Sequence, residues 1–440
     1  MIVIVGGGIS GLSLAYYLQK QGVAFKLIEQ NKRTGGYIRS IRQKEYLFEE
    51  GPNSLLVDAE IQALLDELNL TEEIVEANPA SKKRYILRKG QYRALPSSPP
   101  ALLFNGFFSW KAKLDIFREM SRPPAPQEGE HVADFFERRF GKEVVDYAVT
   151  PFVSGIYAGD PYRLRLDKVF PQMPDYEKTY GSVLKGFIKN KGGARRRSLS
   201  FRNGMQTLPE RLTQAVKEHL LLQTTVERIE KQGSEWLVHV NGGEIIRASH
   251  VVLTVGAHQA ARLLPEYYTA AKEVWQQVYY PPLAVVHSAY YKHQFKQVPE
   301  GFGALHPIVE NSFSLGSIWS SSLFPERCKD NEVLITTFVG GALQPNKAQY
   351  EDRRIMHEVN LELKQLLHIQ GVPVLQRITR WEKAIPQYHD YMDAVEAHAR
   401  QLQSEGIYVS ANWIGGVSIP DCIKKGKRLA ETLAQTVKTS

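Results

Sequence analysis

The sequence predicts an α/β fold with α+β elements. A Rossmann-like dinucleotide-binding domain is joined to a mixed-sheet second domain and a helical, membrane-associated insertion. Three observations predict it. Residues 2–29 run strand, glycine turn, amphipathic helix, strand and acid. Residues 225–254 alternate as a short meander and then return to a buried strand. Residues 407–435 put a strand, a glycine pair and a closing helix at the far end.

Each element follows from its residues. Ile2–Val5 is four branched apolar residues without alternation, as in a strand buried on both faces. Gly6-Gly7-Gly8-Ile9-Ser10-Gly11 then matches G-x-G-x-x-G. The first glycine allows the tight turn, Gly8 admits a diphosphate to the backbone, and Gly11 lets helix pack on strand. Leu12, Ala15 and Leu18 set a helical spacing, and the start of that helix offers N–H groups to phosphate. Phe25–Ile28 is the second strand. Glu29 falls about 20 residues past the glycines, where an acid binds ribose hydroxyls and disfavours a 2′-phosphate.

Tyr85 to Leu95 reads as a hairpin turning at Lys89-Gly90. Helices are expected near Lys111–Met120, Val132–Phe140 and Glu143–Val149, with Pro123-Pro124-Ala125-Pro126 as a stiff spacer. Before them lies an apolar stretch with Leu102, Leu103, Phe104, Phe107, Phe108 and Trp110. It is either core or an amphipathic surface lying in a membrane interface. Leu208–Leu220 has the pattern of an amphipathic helix. Thr225–Ile229, Trp236–Val240 and Glu244–Ala248 form the meander, with Asn241-Gly242-Gly243 as a turn, and His250–Thr254 is buried. Residues 275–378 are richer in strands and predict a second sheet. Ile407–Ser410, Gly415-Gly416 and a helix over Asp421–Gln435 close the fold. That helix start, under a bound ring, would favour negative charge there. The resulting division assigns 1–80, 200–265 and 400–440 to the dinucleotide domain. Residues 81–95 and 266–399 form the second domain, and 96–199 the insertion.

Composition narrows the function. The 440 residues suffice for two or three domains, and 43% hydrophobic content is ordinary. Cys328 and Cys422 lie far apart, so a reduced compartment and no disulfide framework are expected. No metal-ligand cluster stands out. The chain enters a strand at once, leaving no room for a signal peptide. No apolar stretch approaches the ~18 residues of a spanning helix. A soluble or peripheral protein is the expectation. The net charge of +8 favours anionic partners, either anionic lipid or a polycarboxylate substrate. The basic runs Lys82-Lys83-Arg84, Arg195-Arg196-Arg197 and Lys424–Arg428 come with no nucleic-acid motif, so nucleic acid is not expected. No Ser-His-Asp or Cys-His arrangement is present to credit, and no catalytic side chain is assigned.

Arg33-Thr34-Gly35-Gly36 and Glu50-Gly51-Pro52-Asn53 follow the ribose acid, as in FAD enzymes of the amine oxidase type. Five further segments narrow the resemblance: PFVSGIYAGDP (151–161), FRNGMQTLPERL (201–212), GFGALHP (301–307), SSSLFPERC (320–328) and GGVSIPDCI (415–423). In family order along the whole chain, they resemble the protoporphyrinogen oxidase family, its plant branch especially. The resemblance implies non-covalent FAD and the six-electron oxidation of protoporphyrinogen IX to protoporphyrin IX in haem biosynthesis. Oxygen would be the acceptor, giving hydrogen peroxide, with a quinone open. Coproporphyrinogen III oxidation is the alternative. Another amine oxidase-like flavoenzyme, or a non-catalytic FAD or porphyrin carrier, is more remote.

Carried over by residue, FAD contacts fall on Gly6, Gly7, Gly8, Ile9, Ser10, Gly11, Glu29 and Tyr37. They continue on Gly51, Pro52, Asn53, Ser54, Val226, Asn412, Val417, Ser418 and Ile419. Val226 would serve adenine through its backbone. Arg84 would bind a propionate, since a planar guanidinium suits carboxylate. Leu305 and Phe324 would wall the macrocycle, and Gly155 and Gly159 would let backbone approach it. The implied partners are the porphyrinogen, an anionic membrane surface and the next haem-pathway enzyme, with a homodimer open. The implied location is cytoplasmic, at the inner face of the cell membrane.

Overall fold

A computed structural model describes residues 1–96, 106–190 and 197–439. Its first sheet is parallel throughout. The strands lie in the order Leu220–Leu221, Phe25–Ile28, Ile2–Val5, His250–Leu253, Ile407–Val409. Alternation along Ile2–Val5 explains its uniformly apolar character. Ile2 and Ile4 face the helices Ile9–Lys20 and Ile419–Thr439, where Leu12, Leu18 and Leu433 are buried. Val3 and Val5 face the other way, toward Trp236, Ala260, Trp275 and Trp413. Both faces are covered, so polar residues have no place in the strand.

On that second side stands the three-stranded antiparallel meander, Val226–Gln232, Glu235–Val240 and Ile245–Ala248. Trp236 is fully buried there and donates its indole N–H to the Glu405 carbonyl. A large aromatic with its one polar atom satisfied suits a buried junction.

The second sheet has seven strands, in the order Leu375–Trp381, Leu283–Tyr291, Glu332–Gly340, Gly316–Ile318, Gly303–Leu305, Arg84–Arg88, Gln91–Ala94. It is mixed, since Gly303–Leu305 runs parallel to Arg84–Arg88 while the other pairs are antiparallel. The hairpin turns at Lys89 and Gly90, both at positive φ, as a two-residue type I′ loop requires. One face packs on the helix Asp352–Leu367 through Val286, Ile335, Ala304, Ile355, Val359 and Leu363. Residues paired across strands share a face, so Arg84, Gly303, Ile318, Thr336, His287 and Arg377 form one row on the opposite face.

Residues 110–189 are helical, beginning with Trp110–Arg118 and Val132–Phe140 and ending with Val183–Lys189. A buried ion cluster holds them. Arg139 reaches Glu119 and Glu177, and Arg138 reaches Glu130 at 2.6 Å and Glu177 at 2.7 Å. Ser182 and the Val183 amide also donate to Glu119. Phe107 and Phe108 are buried while Trp110 is 77% exposed, so the aromatic stretch divides between core and surface. Leu102, Leu103, Phe104, Arg195 and Arg196 lie outside the described residues. Among the described residues, no helix is long and apolar enough to cross a membrane.

Boundaries shift where local chemistry decides them. The helix expected over Leu208–Leu220 spans Thr207–Ala215, then tightens into Lys217–His219 so that Leu220–Leu221 can pair with Leu27 and Ile28. The residues 143–149 continue as a π-helical turn, Val145–Val149, into Thr150–Tyr157. The last helix starts at Ile419 rather than Asp421. Pro420 fits its first turn because no intrahelical N–H bond is lost there.

The ion cluster gives a stability prediction. Arg139→Met leaves Glu119 and Glu177 buried without their shared guanidinium. A loss of about 3–5 kcal/mol is expected, read as a lowered denaturant midpoint and earlier proteolytic cleavage within residues 110–189.

Candidate active site

The first glycine turn is shaped by close approach. The Gly6 N–H donates to the Ile28 carbonyl at 2.8 Å, and Gly6 sits at φ +111°. A Cβ on Gly11 would stand 2.0 Å from the Gly6 carbonyl oxygen, so only glycine lets this helix begin here. A Cβ on Gly8 would meet nothing within 4 Å. Gly8 also precedes Ile9–Lys20 without a side-chain cap. The first N–H groups of that helix, on Ile9, Ser10 and Gly11, therefore face space in which an anion would be stabilised. The Glu29 carboxylate accepts from the Gly7 N–H at 2.7 Å, the Asn31 N–H at 2.9 Å and the Asn31 amide at 2.6 Å. A carboxylate has about four acceptor sites, which leaves room for a ribose hydroxyl. The Thr224 N–H donates to the Glu29 carbonyl, which brings Val226, at the start of the meander, beside the acid.

The second glycine pair packs on the first. The Gly35 N–H donates to the Gly7 carbonyl at 2.8 Å, and a Cβ on Gly36 would stand 3.3 Å from the Gly8 Cα. Tyr37 follows, its ring 5.2 Å from Trp381 and its hydroxyl donating to the Lys383 carbonyl. A Cβ on Gly51 would stand 1.9 Å from the Tyr37 carbonyl oxygen. Pro52, Asn53 and Ser54 are half-buried, and the Asn53 amide donates to the Gly51 carbonyl.

The residues before Gly51 tie this turn to the second sheet. Glu50 lies between Arg39 at 2.9 Å and Arg377 at 2.5 Å and accepts from the Thr379 hydroxyl at 3.0 Å. Its carbonyl accepts the Trp381 indole N–H. His287, kept neutral by burial that lowers its pKa to about 4, donates its Nε2–H to the Glu49 carbonyl. Sequence reasoning missed this strap because its partners lie some 240 to 330 residues away. Burial pushes the Glu49 carboxyl up to about 7, against the opposing pull of Arg327, Ser40 and the Met205 N–H.

At the far end, Tyr388 donates its hydroxyl to the Asn412 carbonyl at 2.7 Å and accepts from the Gly416 N–H at 3.0 Å. Trp413 donates to the Val255 carbonyl. Ser418 and Asp421 exchange hydrogen bonds as a capping box. The helix start is therefore not bare. The Asp421 carboxylate occupies part of its first turn, which weakens the expected preference for an added negative charge. Val417 is half-buried, Ser418 exposed and Ile419 buried. The helix crosses Ile9–Lys20 closely, since a Cβ on Gly426 would stand 2.9 Å from the Leu14 nitrogen. Cys422 lies in hydrogen-bond contact with Ser10. The two glycine turns thus open side by side.

Of the residues assigned to substrate, two meet directly. A Cβ on Gly155 would stand 2.3 Å from Leu305 Cδ2. Gly155 is exposed, as are Phe152 and Ile156 beside it on the helix Thr150–Tyr157. Arg84 is on the sheet row next to the one Leu305 occupies, exposed, its guanidinium 5.1 Å from the Phe302 ring centre. Gly159 is buried beneath Gln387 and Leu164. Phe324 is only 2% exposed and lies beside the Arg327 guanidinium, a packing position.

Two outcomes are expected. Gly8→Ala keeps the melting temperature of the flavin-free protein, because its methyl meets no protein atom, yet weakens flavin binding at least about tenfold. Gly11→Ala loses both. Flavin fluorescence quenching and thermal melts read the difference. For Glu49, a carboxyl raised in the folded state binds its proton more tightly than in the unfolded chain. Its contribution to stability therefore falls as pH rises from about 4.5 to about 7. Glu49→Gln flattens that part of the stability–pH curve measured by urea unfolding.

Known proteins resemble this chain over nearly its whole length. The sequence matches the family of flavin containing amine oxidoreductases over residues 9–434. It is similar to protoporphyrinogen oxidase 2, chloroplastic/mitochondrial, of Arabidopsis thaliana, with 30% identity over 98% of this chain and 93% of that one. It is similar to coproporphyrinogen III oxidase of Bacillus subtilis (strain 168), with 28% identity over 97% and 96%. A solved chain from Exiguobacterium sp. 255-15, provisionally assigned as a protoporphyrinogen oxidase, superposes with a TM-score of 0.83. At 22% identity over 99% of this chain and 98% of that one, it is a likeness of fold. This chain belongs to the flavin containing amine oxidoreductase family and is an FAD-dependent oxidoreductase.

Proposed function

We propose that this chain oxidises protoporphyrinogen IX to protoporphyrin IX in haem biosynthesis, three molecules of oxygen being reduced to three of hydrogen peroxide. The observation that carries the reading is the exposed apolar surface around the Gly155–Leu305 contact, with Phe152 and Ile156 beside it and Arg84 on the neighbouring strand. An apolar surface with one guanidinium at its edge suits a flat, greasy ring carrying few carboxylates. FAD, when bound, supplies the hydride acceptor and its reoxidation by oxygen.

The chain's own residues bind and orient. Arg84 holds a propionate, and Leu305 lies against the macrocycle. Gly155 lets Leu305 pack against its Cα, where any side chain would strike it, and so sets the position of that apolar wall. Gly159 and Phe324 are buried and serve as packing rather than as contacts to the ring. No side chain is needed as a strong base, because tautomerisation of the pyrroles moves hydrogens between successive two-electron steps.

Coproporphyrinogen III is the second reading, favoured by the similarity to the Bacillus subtilis protein. It carries four propionates against two, and one placed arginine suits the less acidic ring. Porphyrin fluorescence with each porphyrinogen separates them: faster turnover of protoporphyrinogen IX is expected. A preference for coproporphyrinogen III exchanges the two readings, and no turnover of either removes both. Arg84→Ala is expected to retain flavin and lose about 1–3 kcal/mol of kcat/KM; unchanged kinetics would take Arg84 out of the site.

We also propose peripheral attachment to an anionic membrane. Trp110, Leu114 and Phe117 lie at positions i, i+4 and i+7 of one helix, all exposed, and Phe187 and Ile188 are exposed on another helix of the insertion. Lys113 lies 4.5 Å from the Trp110 ring. Apolar rings flanked by cations suit a headgroup boundary. Flotation with anionic liposomes is expected to retain the protein and to lose it on Trp110→Glu with Leu114→Glu. Flotation without retention of the unaltered chain would end the idea.

A further inference from the structure

The basic run Lys424–Arg428 divides in the structure. Lys424 pairs with Asp58 and Lys427 with Glu60 at the surface. Lys425 turns inward. Its ammonium donates to the carbonyls of Ala411 at 2.6 Å, Gly416 at 2.9 Å and Ile414. An ammonium has three N–H donors, so all are spent on carbonyl oxygens and none on a carboxylate. Cys422, Asp421 and Arg428 are its titratable neighbours, and the Asp421 carboxylate is engaged with Ser418. Burial lowers the pKa of this ammonium from its usual value.

A half-buried ammonium whose donors meet only carbonyl dipoles gains from a compensating charge. The carbonyls that hold it belong to the loop between Ile407–Val409 and Ile419–Thr439, which presents Asn412 and Val417 to Ile419. Lys425 also adjoins Gly426, where the two helices cross and their N-terminal turns converge. Tyr388 grips the same loop through Asn412 and Gly416 from the other side.

We propose that Lys425 is a positioning residue for the flavin. It fixes the loop of residues 411–416, and its charge favours the reduced, anionic flavin over the oxidised one. Asp421 at the helix start opposes that preference, and Lys425 supplies the positive charge that the capped helix end cannot. The inference rests on the flavin site described above and not on the choice of porphyrinogen.

The test uses the purified holoprotein, without porphyrinogen. Bound flavin is reduced in equilibrium with a reference dye, and the reduced-to-oxidised ratio is read at a fixed dye poise. In Lys425→Met the ratio is expected to fall about tenfold or more, and the flavin dissociation constant to rise. Lys425→Arg restores the ratio because it keeps the charge. Lys425→Gln keeps donors to the carbonyls and recovers flavin affinity, but its ratio stays low. Should Lys425→Met fail to fold, Lys425→Gln carries the same expectation for the ratio. A flavin-bearing Lys425→Gln with the unaltered ratio would overturn the proposal, as would a Lys425→Arg that leaves the ratio as low as Lys425→Gln does.

Discussion

The structure depends on backbone meeting backbone where no side chain fits. Gly11 lies against the Gly6 carbonyl, Gly35 donates to Gly7, and Gly51 lies against the Tyr37 carbonyl. These contacts bring three separate segments to one point and leave Gly8 open. Each removes a Cβ that would fill the space or force the strands apart. The chain gives up conformational entropy at several glycines to do so. What it gains is open space over Gly8 beside the uncapped N–H groups of a helix start, which suits a diphosphate.

Around that point, charge does what packing cannot. Glu50 is buried, and such a group persists only with partners; here Arg39 comes from the dinucleotide half and Arg377 from the second sheet. The strap therefore holds the Gly51 turn at a set distance from the sheet face bearing Arg84 and Leu305. His287, neutral and buried, adds a hydrogen bond without adding charge. Tyr388 and Lys425 do the same work on the carboxyl-terminal loop. The glycine turns and the second sheet are thus fixed by a few long-range polar contacts laid over an apolar core.

Signals that act over a few residues were legible in the sequence. The G-x-G-x-x-G turn, the Lys89-Gly90 hairpin and the helix Val132–Phe140 follow from steric rules and period alone. The second sheet was legible as a mixed sheet in a strand-rich region but not in its strand order, which depends on pairings such as Gly303 with Arg84. Lys425 was illegible because a lysine in a basic run reads as solvated, and Glu50 and Tyr388 because their partners lie far along the chain. Phe324 shows the converse. The segment around it is recognisable, yet only the structure places its ring in packing beside Arg327.

On the proposed reading, two glycine turns, one at each end of the chain, grip a single flavin against the second sheet. The most direct measurement is the absorbance spectrum of the purified chain before and after denaturation. One equivalent of free FAD released from a yellow protein is the predicted result. A colourless chain that releases none, and takes none up on reconstitution, would contradict it.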